Sequence, residues 1–133
     1  MKTPLILLAV CSFLFFSCKK STVALNPGFI GTWEIERYTG YPFPAPYAAG
    51  NGNLLKLYEN RKVERFESGV LVESGTFTFK KKKDCYEREE KTLIIFTYPN
   101  NKQEYYISLN DDQLWLSGSN CLQDVGTAIY RRL

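Results

Sequence analysis

The sequence predicts an all-β protein, an eight-stranded antiparallel up-and-down barrel, and three observations carry that expectation. From Gly31 onward the chain is a succession of short stretches rich in Thr, Tyr, Phe, Val and Ile, residues that fit a pleated, half-buried surface. Turn residues punctuate these stretches at nearly even spacing, and no apolar stripe of helical period is long enough to bury a helix. Successive strands joined mostly by tight turns form a meander, and a meander of this size removes its exposed edges by closing on itself.

Each element has its own justification. The first strand is read over Gly31–Thr39 (GTWEIERYT), where Trp33 and Ile35 alternate with Glu34 and Glu36. The second, 53–59, sets Leu55 and Leu57 opposite Lys56. After a turn at Asn60-Arg61 comes the third, Lys62–Glu67, which alternates poorly: Val63 and Phe66 are both apolar but of opposite parity, so fraying or a bulge is expected. Ser68-Gly69 reverses the chain into a long fourth strand, 70–81, with Phe77 and Phe79 opposite Thr76 and Thr78. Gly75 within it marks a bulge or sharp bend, because glycine has no Cβ to obstruct one. The fifth strand, 91–98 (KTLIIFTY), places Leu93, Ile94, Ile95 and Phe96 in a row and reads as buried on both faces. It pairs across Pro99-Asn100-Asn101 with the sixth, 102–109 (KQEYYISL). The seventh, 113–117, follows Asn110-Asp111-Asp112, and the eighth, 126–133, closes the set. A barrel of eight strands holds packed side chains or one small ligand.

The amino terminus is organised differently. Lys2 is followed by an apolar run over 5–16 (LILLAVCSFLFF) broken only by Ser12, the length of a signal-peptide core and short for a bilayer span. The run ends at Phe15-Phe16-Ser17-Cys18, which resembles the lipobox of bacterial lipoproteins, where a small residue precedes a cysteine that is diacylated and becomes the first residue after cleavage. This resemblance implies a signal peptide over 1–17, a lipid anchor on Cys18, a tether over 18–28 and a barrel domain over 29–133. Phe at the two positions before Ser17 is a bulk familiar in lipoproteins of Bacteroidetes. Lys19-Lys20 suit anionic headgroups, and no acidic pair follows Cys18, so the expected place is the bacterial cell envelope, lipid-anchored and facing the periplasm. With Cys11 removed and Cys18 acylated, Cys85 and Cys121 remain as one pair in an oxidising compartment. Their disulfide would close a loop of about 37 residues, a contribution of roughly 3 to 4 kcal/mol in the chain-entropy model.

Composition excludes several functions. The chain has no histidine, which removes Ser-His-Asp and Cys-His catalysis and the commonest zinc ligand. Its net charge of +3 becomes +2 once Lys2 leaves, 16 basic against 14 acidic side chains, and no nucleic-acid partner is expected. Glu34, Glu36, Glu64 and Glu73 read as outward-alternating and lack a motif that would perturb a carboxyl. Asp111, Asp112 and Asp124 with Asn110 and Asn120 lack the ligand spacing of a calcium loop. The reading therefore assigns no catalytic residue, no metal and no cofactor, and it expects a protein that is not an enzyme.

Gly31-Thr32-Trp33 at the head of the first strand, the long loop after it, seven further strands and a closing Tyr130-Arg131-Arg132 together resemble the lipocalin-like families, specifically small lipocalin-like lipoproteins of Bacteroidetes, over about 100 residues. The resemblance implies a calyx for a small hydrophobic or amphipathic ligand, with Trp33 plugging the closed end under a cation–π cover from Arg131 or Arg132. All three are structural roles. The loop over 40–52 (GYPFPAPYAAGNG) is stiffened by three prolines and carries Tyr41, Phe43 and Tyr47, aromatic surface that needs a place to bury. These residues form either a lid over a ligand or a plug on the barrel's own rim. Candidate ligand contacts are accordingly Tyr41, Phe43 and Tyr47 from the loop and Leu55, Leu57, Phe77 and Phe79 from the wall. Lys80 to Lys83, followed by Glu87 to Glu90, reads as a solvated hairpin tip. Two functions from different classes remain: an envelope lipoprotein binding a small ligand in its barrel, and a protein-interaction module, an inhibitor or assembly factor, acting through loops around a filled interior. Interior volume separates them. A barrel filled by Trp33, Phe77, Phe79, Phe96, Ile107 and Leu116 points to the second, and a cavity beneath 40–52 points to the first.

Overall fold

The computed structural model describes residues 23–40, 45–119 and 126–133. Its strands are β1 (Gly31–Thr39), β2 (Ala45–Pro46), β3 (Leu54–Leu57), β4 (Lys62–Glu67), β5 (Val70–Lys83), β6 (Glu90–Tyr98), β7 (Asn101–Asn110), β8 (Gln113–Gly118) and β9 (Thr127–Arg132). All pairings are antiparallel between neighbours, and β1 closes on β9 from Trp33 opposite Arg132 to Thr39 opposite Thr127. The result is a closed eight-stranded antiparallel barrel. The two-residue β2 is an addition to it, paired only with Arg37 and Tyr38 of β1. It lies inside the segment read from sequence as an irregular loop.

The expected irregularities exist, one of them displaced. Along β4 and β5, Arg65 faces Glu73 but Phe66 faces Leu71, so Val72 is an extra residue on β5. This accounts for the broken alternation of β4. The bulge is therefore at Val72, and Gly75 meets a different need: a Cβ there would lie 2.2 Å from the Thr97 carbonyl oxygen. β5 is passing at that point from its pairing with β4, which ends at Thr76, to its pairing with β6, which begins there. A second register shift falls between Ile35 and Arg37 of β1.

Strand ends differ from the sequence reading where cross-strand bonds extend them. β5 continues through Lys83 because Lys80 to Lys83 pair with Leu93 to Glu90, and Lys81 Nζ donates to Thr92 Oγ1 at 3.0 Å. Those lysines are exposed strand residues, and the hairpin tip is the turn after them. Asp84 closes it, accepting from the amides of Tyr86 at 2.7 Å and Glu87 at 3.2 Å and from Lys91 Nζ at 3.0 Å.

The two ends of the barrel are packed differently. At the base, where the chain enters, the 3-10 turn Pro27–Phe29 tucks Phe29 beneath the strands, with its ring centroid 5.6 Å from that of Phe79. Trp33, Leu57, Val63, Phe77, Ile94 and Leu114 are fully buried there. Val23 and Leu25, inside the segment read as a tether, pack against this core. Leu93 to Phe96 are all buried, so β6 is covered on both faces as its apolar run implied. The opposite end, where β1 stops at Thr39 and β9 starts at Thr127, is the mouth.

Candidate functional site

The base is built to be solid. Trp33 Nε1 donates to the Phe29 carbonyl at 2.9 Å, so a wholly buried indole keeps its one hydrogen bond. The Arg132 guanidinium stands 4.2 Å from the centroid of the Trp33 ring and donates to the carbonyls of Gly28 at 2.6 Å and Ile30 at 3.1 Å. Arg132 thus covers the tryptophan and staples the entering chain to the last strand. Arg131 points elsewhere, with Nε 3.2 Å from Glu34 Oε2. Leu57, Phe77 and Phe79, expected as ligand contacts, are buried in the core and are not among the residues lining the cavity at the mouth.

The mouth half is not filled. A cavity of about 250 Å³ is lined by Tyr38, Leu55, Arg65, Phe96, Tyr98, Gln103, Tyr105, Leu116, Gly118, Gly126, Ala128 and Tyr130. Strand parity explains this set: Tyr98 continues the inward row of Ile94 and Phe96, Tyr105 shares a face with Ile107, and Tyr130 shares one with Ala128. Beside it lies a second cavity of about 250 Å³, lined by Ile35, Tyr47, Asn53, Leu54, Arg65, Phe66, Glu67 and Tyr130. It sits where β3 stops at Leu54, so that β1 beyond Glu34 has β2 rather than β3 along its edge. Arg65 and Tyr130 line both spaces.

The chemistry of the cavity is aromatic with one charged corner. Phe96 lies 5.9 Å from Tyr105 and 6.2 Å from Tyr98, measured between ring centroids. Arg65 Nε donates to Glu73 Oε2 at 2.8 Å, and its Nη1 pairs with Glu67. Partial burial works against the Arg65 charge, but the two carboxylates outweigh it and hold the guanidinium above its ordinary pKa. Burial pushes the Tyr98 phenol up to about 12 and raises those of Tyr105 and Tyr130 as well. At neutral pH these phenols are uncharged groups that both donate and accept.

The loop over the mouth is anchored by a residue the sequence reading placed at the surface. Glu34 is 2 % exposed because the chain near Gly50 folds down onto the outer face of β1. Its carboxylate accepts from the amides of Gly50 at 2.9 Å and Gly52 at 3.2 Å, and the Gly50 amide, ahead of Gly52 and the Arg131 charge, holds its pKa below the usual range. Asn51 adds bonds from Nδ2 to the carbonyls of Ile35 at 2.9 Å and Ala48 at 2.6 Å, and the Tyr47 amide donates to Glu36 at 2.8 Å. The second half of the loop is thus fastened to β1. No Cβ fits at Gly126, where it would stand 2.0 Å from the Tyr38 hydroxyl at the rim.

Of the sequence-derived candidates, Leu55 lines the mouth cavity and Tyr47 the one beside it. Tyr41, Phe43, Cys18 and Cys121 lie outside the described residues, as does the signal segment. Cys85 falls in the turn between β5 and β6. The residues that sequence reasoning missed are Arg65, Tyr98, Tyr105 and Tyr130, although the shared parity of Tyr98 with Phe96 and of Tyr130 with Ala128 was there to read. Among the described residues no group of three or more His, Cys, Asp or Glu side chains is arranged to hold a metal ion. No family model, curated protein or solved structure matches this chain.

Proposed function

We propose that the protein is a membrane-anchored cell-envelope lipoprotein whose lipocalin-like barrel binds a small hydrophobic or amphipathic ligand in its mouth cavity. The observation that supports ligand binding is the space of about 250 Å³ in the mouth half, while Trp33, Val63 and Phe77 toward the base are fully buried. A dry cavity of roughly 150 Å³ already accepts benzene, so the occupant has the size of one or two rings. Leu55, Phe96, Leu116 and Ala128 supply an apolar lining, and the tyrosines supply polar atoms at its edge.

The anchor rests on the Ser17-Cys18 lipobox, and the periplasmic address follows from Lys19-Lys20 behind it. The pairing of Cys85 with Cys121 has support from Ser119, whose carbonyl accepts from Lys82 Nζ at 3.2 Å and so brings the chain leaving β8 against the end of β5. One observation favours the second reading, a protein-interaction module: Val70, Leu71 and Val72 are consecutive and exposed at the start of β5. Native mass spectrometry of the gently extracted protein separates the two. Ligand binding predicts a small molecule that co-purifies with the wild type and is lost when the cavity is filled by Ala128→Leu. An empty barrel that captures a protein through 70–72 supports the interaction module.

A further inference from the structure

The polar groups around the cavity carry a statement about what kind of molecule it takes. Tyr98 is 5 % exposed, and among the described residues neither its hydroxyl nor that of Tyr130 has a hydrogen-bond partner. Tyr105 is different, since its hydroxyl donates to Gln103 Oε1 at 3.1 Å. Neither the Tyr98 nor the Tyr130 hydroxyl is wholly buried: each keeps some exposed surface where it borders the cavity, so each is open to bond an atom of a molecule held there.

The charged corner limits the ligand's own charge. Among the described residues Arg65 is the one cation on the cavity wall, and its guanidinium is engaged by Glu73 at 2.8 Å and by Glu67. An anionic ligand meets a cation already matched by two carboxylates, so it has to displace one or lie beside both. A cationic ligand meets carboxylates already committed to Arg65, so a charge of either sign loses its hydration without gaining a free partner. Phenols kept neutral by burial discriminate against neither sign but bond well to an uncharged oxygen.

Resting on the ligand-binding reading above, we infer that the cavity selects a small neutral molecule with an apolar body and one hydroxyl or carbonyl group. The body lies against Leu55, Phe96, Leu116 and Ala128, and the oxygen bonds to the hydroxyls of Tyr98 and Tyr130. With Arg65 and its two carboxylates already paired, charged analogues of the same shape find no free counter-charge.

The test uses the full chain in phospholipid nanodiscs, with empty nanodiscs subtracted, titrated calorimetrically with toluene, benzyl alcohol, benzoate and benzylammonium. Benzyl alcohol binds at least tenfold more tightly than benzoate or benzylammonium. In Tyr98→Phe and Tyr130→Phe, which remove only an oxygen, benzyl alcohol loses roughly three- to tenfold in affinity, the worth of one hydrogen bond. Toluene binding is unchanged in both. If benzoate binds as tightly as the alcohol, Arg65 is an anion anchor and the inference is overturned. If toluene and the alcohol respond alike to both substitutions, the cavity binds ligands but the tyrosines do not choose them, and the inference fails while the ligand-binding reading stands. If no probe binds, toluene included, both fail.

Discussion

Replacing Ala128 with leucine asks whether the space at the mouth is real. Ala128 sits on β9 opposite Leu116 of β8 and Tyr38 of β1, and all three line the mouth cavity. Leucine adds three carbons. Placed in empty space they leave water at about 0.8 kcal/mol each, an upper bound near 2 kcal/mol of added stability. Forced into a close-packed interior, the same atoms destabilise by roughly 1–3 kcal/mol. The sign of the change therefore decides. For a domain of this size each kcal/mol moves the melting temperature by roughly 4–8 °C, so the two outcomes stand well apart in a thermal scan followed by circular dichroism. The cavity of about 250 Å³ predicts an unchanged or higher Tm together with loss of binding for toluene and benzyl alcohol. A fall in Tm of several degrees would refute the reasoning, because it would mean the mouth is packed as tightly as the base.

Three further outcomes follow from other parts of the barrel. Gly75→Ala drives a Cβ to within 2.2 Å of the Thr97 carbonyl and destabilises by roughly 1–3 kcal/mol in chemical denaturation; wild-type stability would contradict the close approach of β5 and β6. The Asp84 carboxyl is held at about 2, first by the Tyr86 amide and then by Lys91. A depressed carboxyl contributes stability above its ordinary value of 3.8 and loses it as pH falls towards 2, so an acid titration of the wild type shows a loss in that window that Asp84→Asn lacks. Coincident acid profiles would show that the turn does not depend on the charge. Non-reducing peptide mapping of the mature protein recovers Cys85 and Cys121 in one linked peptide, and two free thiols would overturn that pairing.

The fold was legible because period-two alternation is local. Trp33 with Ile35, Leu55 with Leu57 and Phe77 with Phe79 can each be read within five residues, and the uninterrupted run at Leu93 to Phe96 announces a strand covered on both faces. The site was less legible because its features come from contacts distant in sequence. Glu34 alternates outward as expected, yet it is buried because Gly50 and Gly52 fold over it. Arg65 reads as a surface charge in a poorly alternating strand, and only the extra residue Val72 on β5 brings Glu73 opposite it. The tyrosines were taken as strand formers, since what makes Tyr98, Tyr105 and Tyr130 one group is barrel closure rather than any spacing along the chain. Phe77 and Phe79 share inward parity with the cavity residues without being among its lining, because inward parity does not tell the filled end of a barrel from the open one.

The central claim is that the mouth half of this barrel binds a small molecule while the base does not. Its most direct test is a methyl NMR titration of the full chain in nanodiscs with benzyl alcohol. The account predicts saturable shifts of the Leu55, Leu116 and Ala128 methyls, with the fully buried Val63 and Leu114 unmoved. Shifts confined to Val70, Leu71 and Val72, or none that saturate, would contradict it.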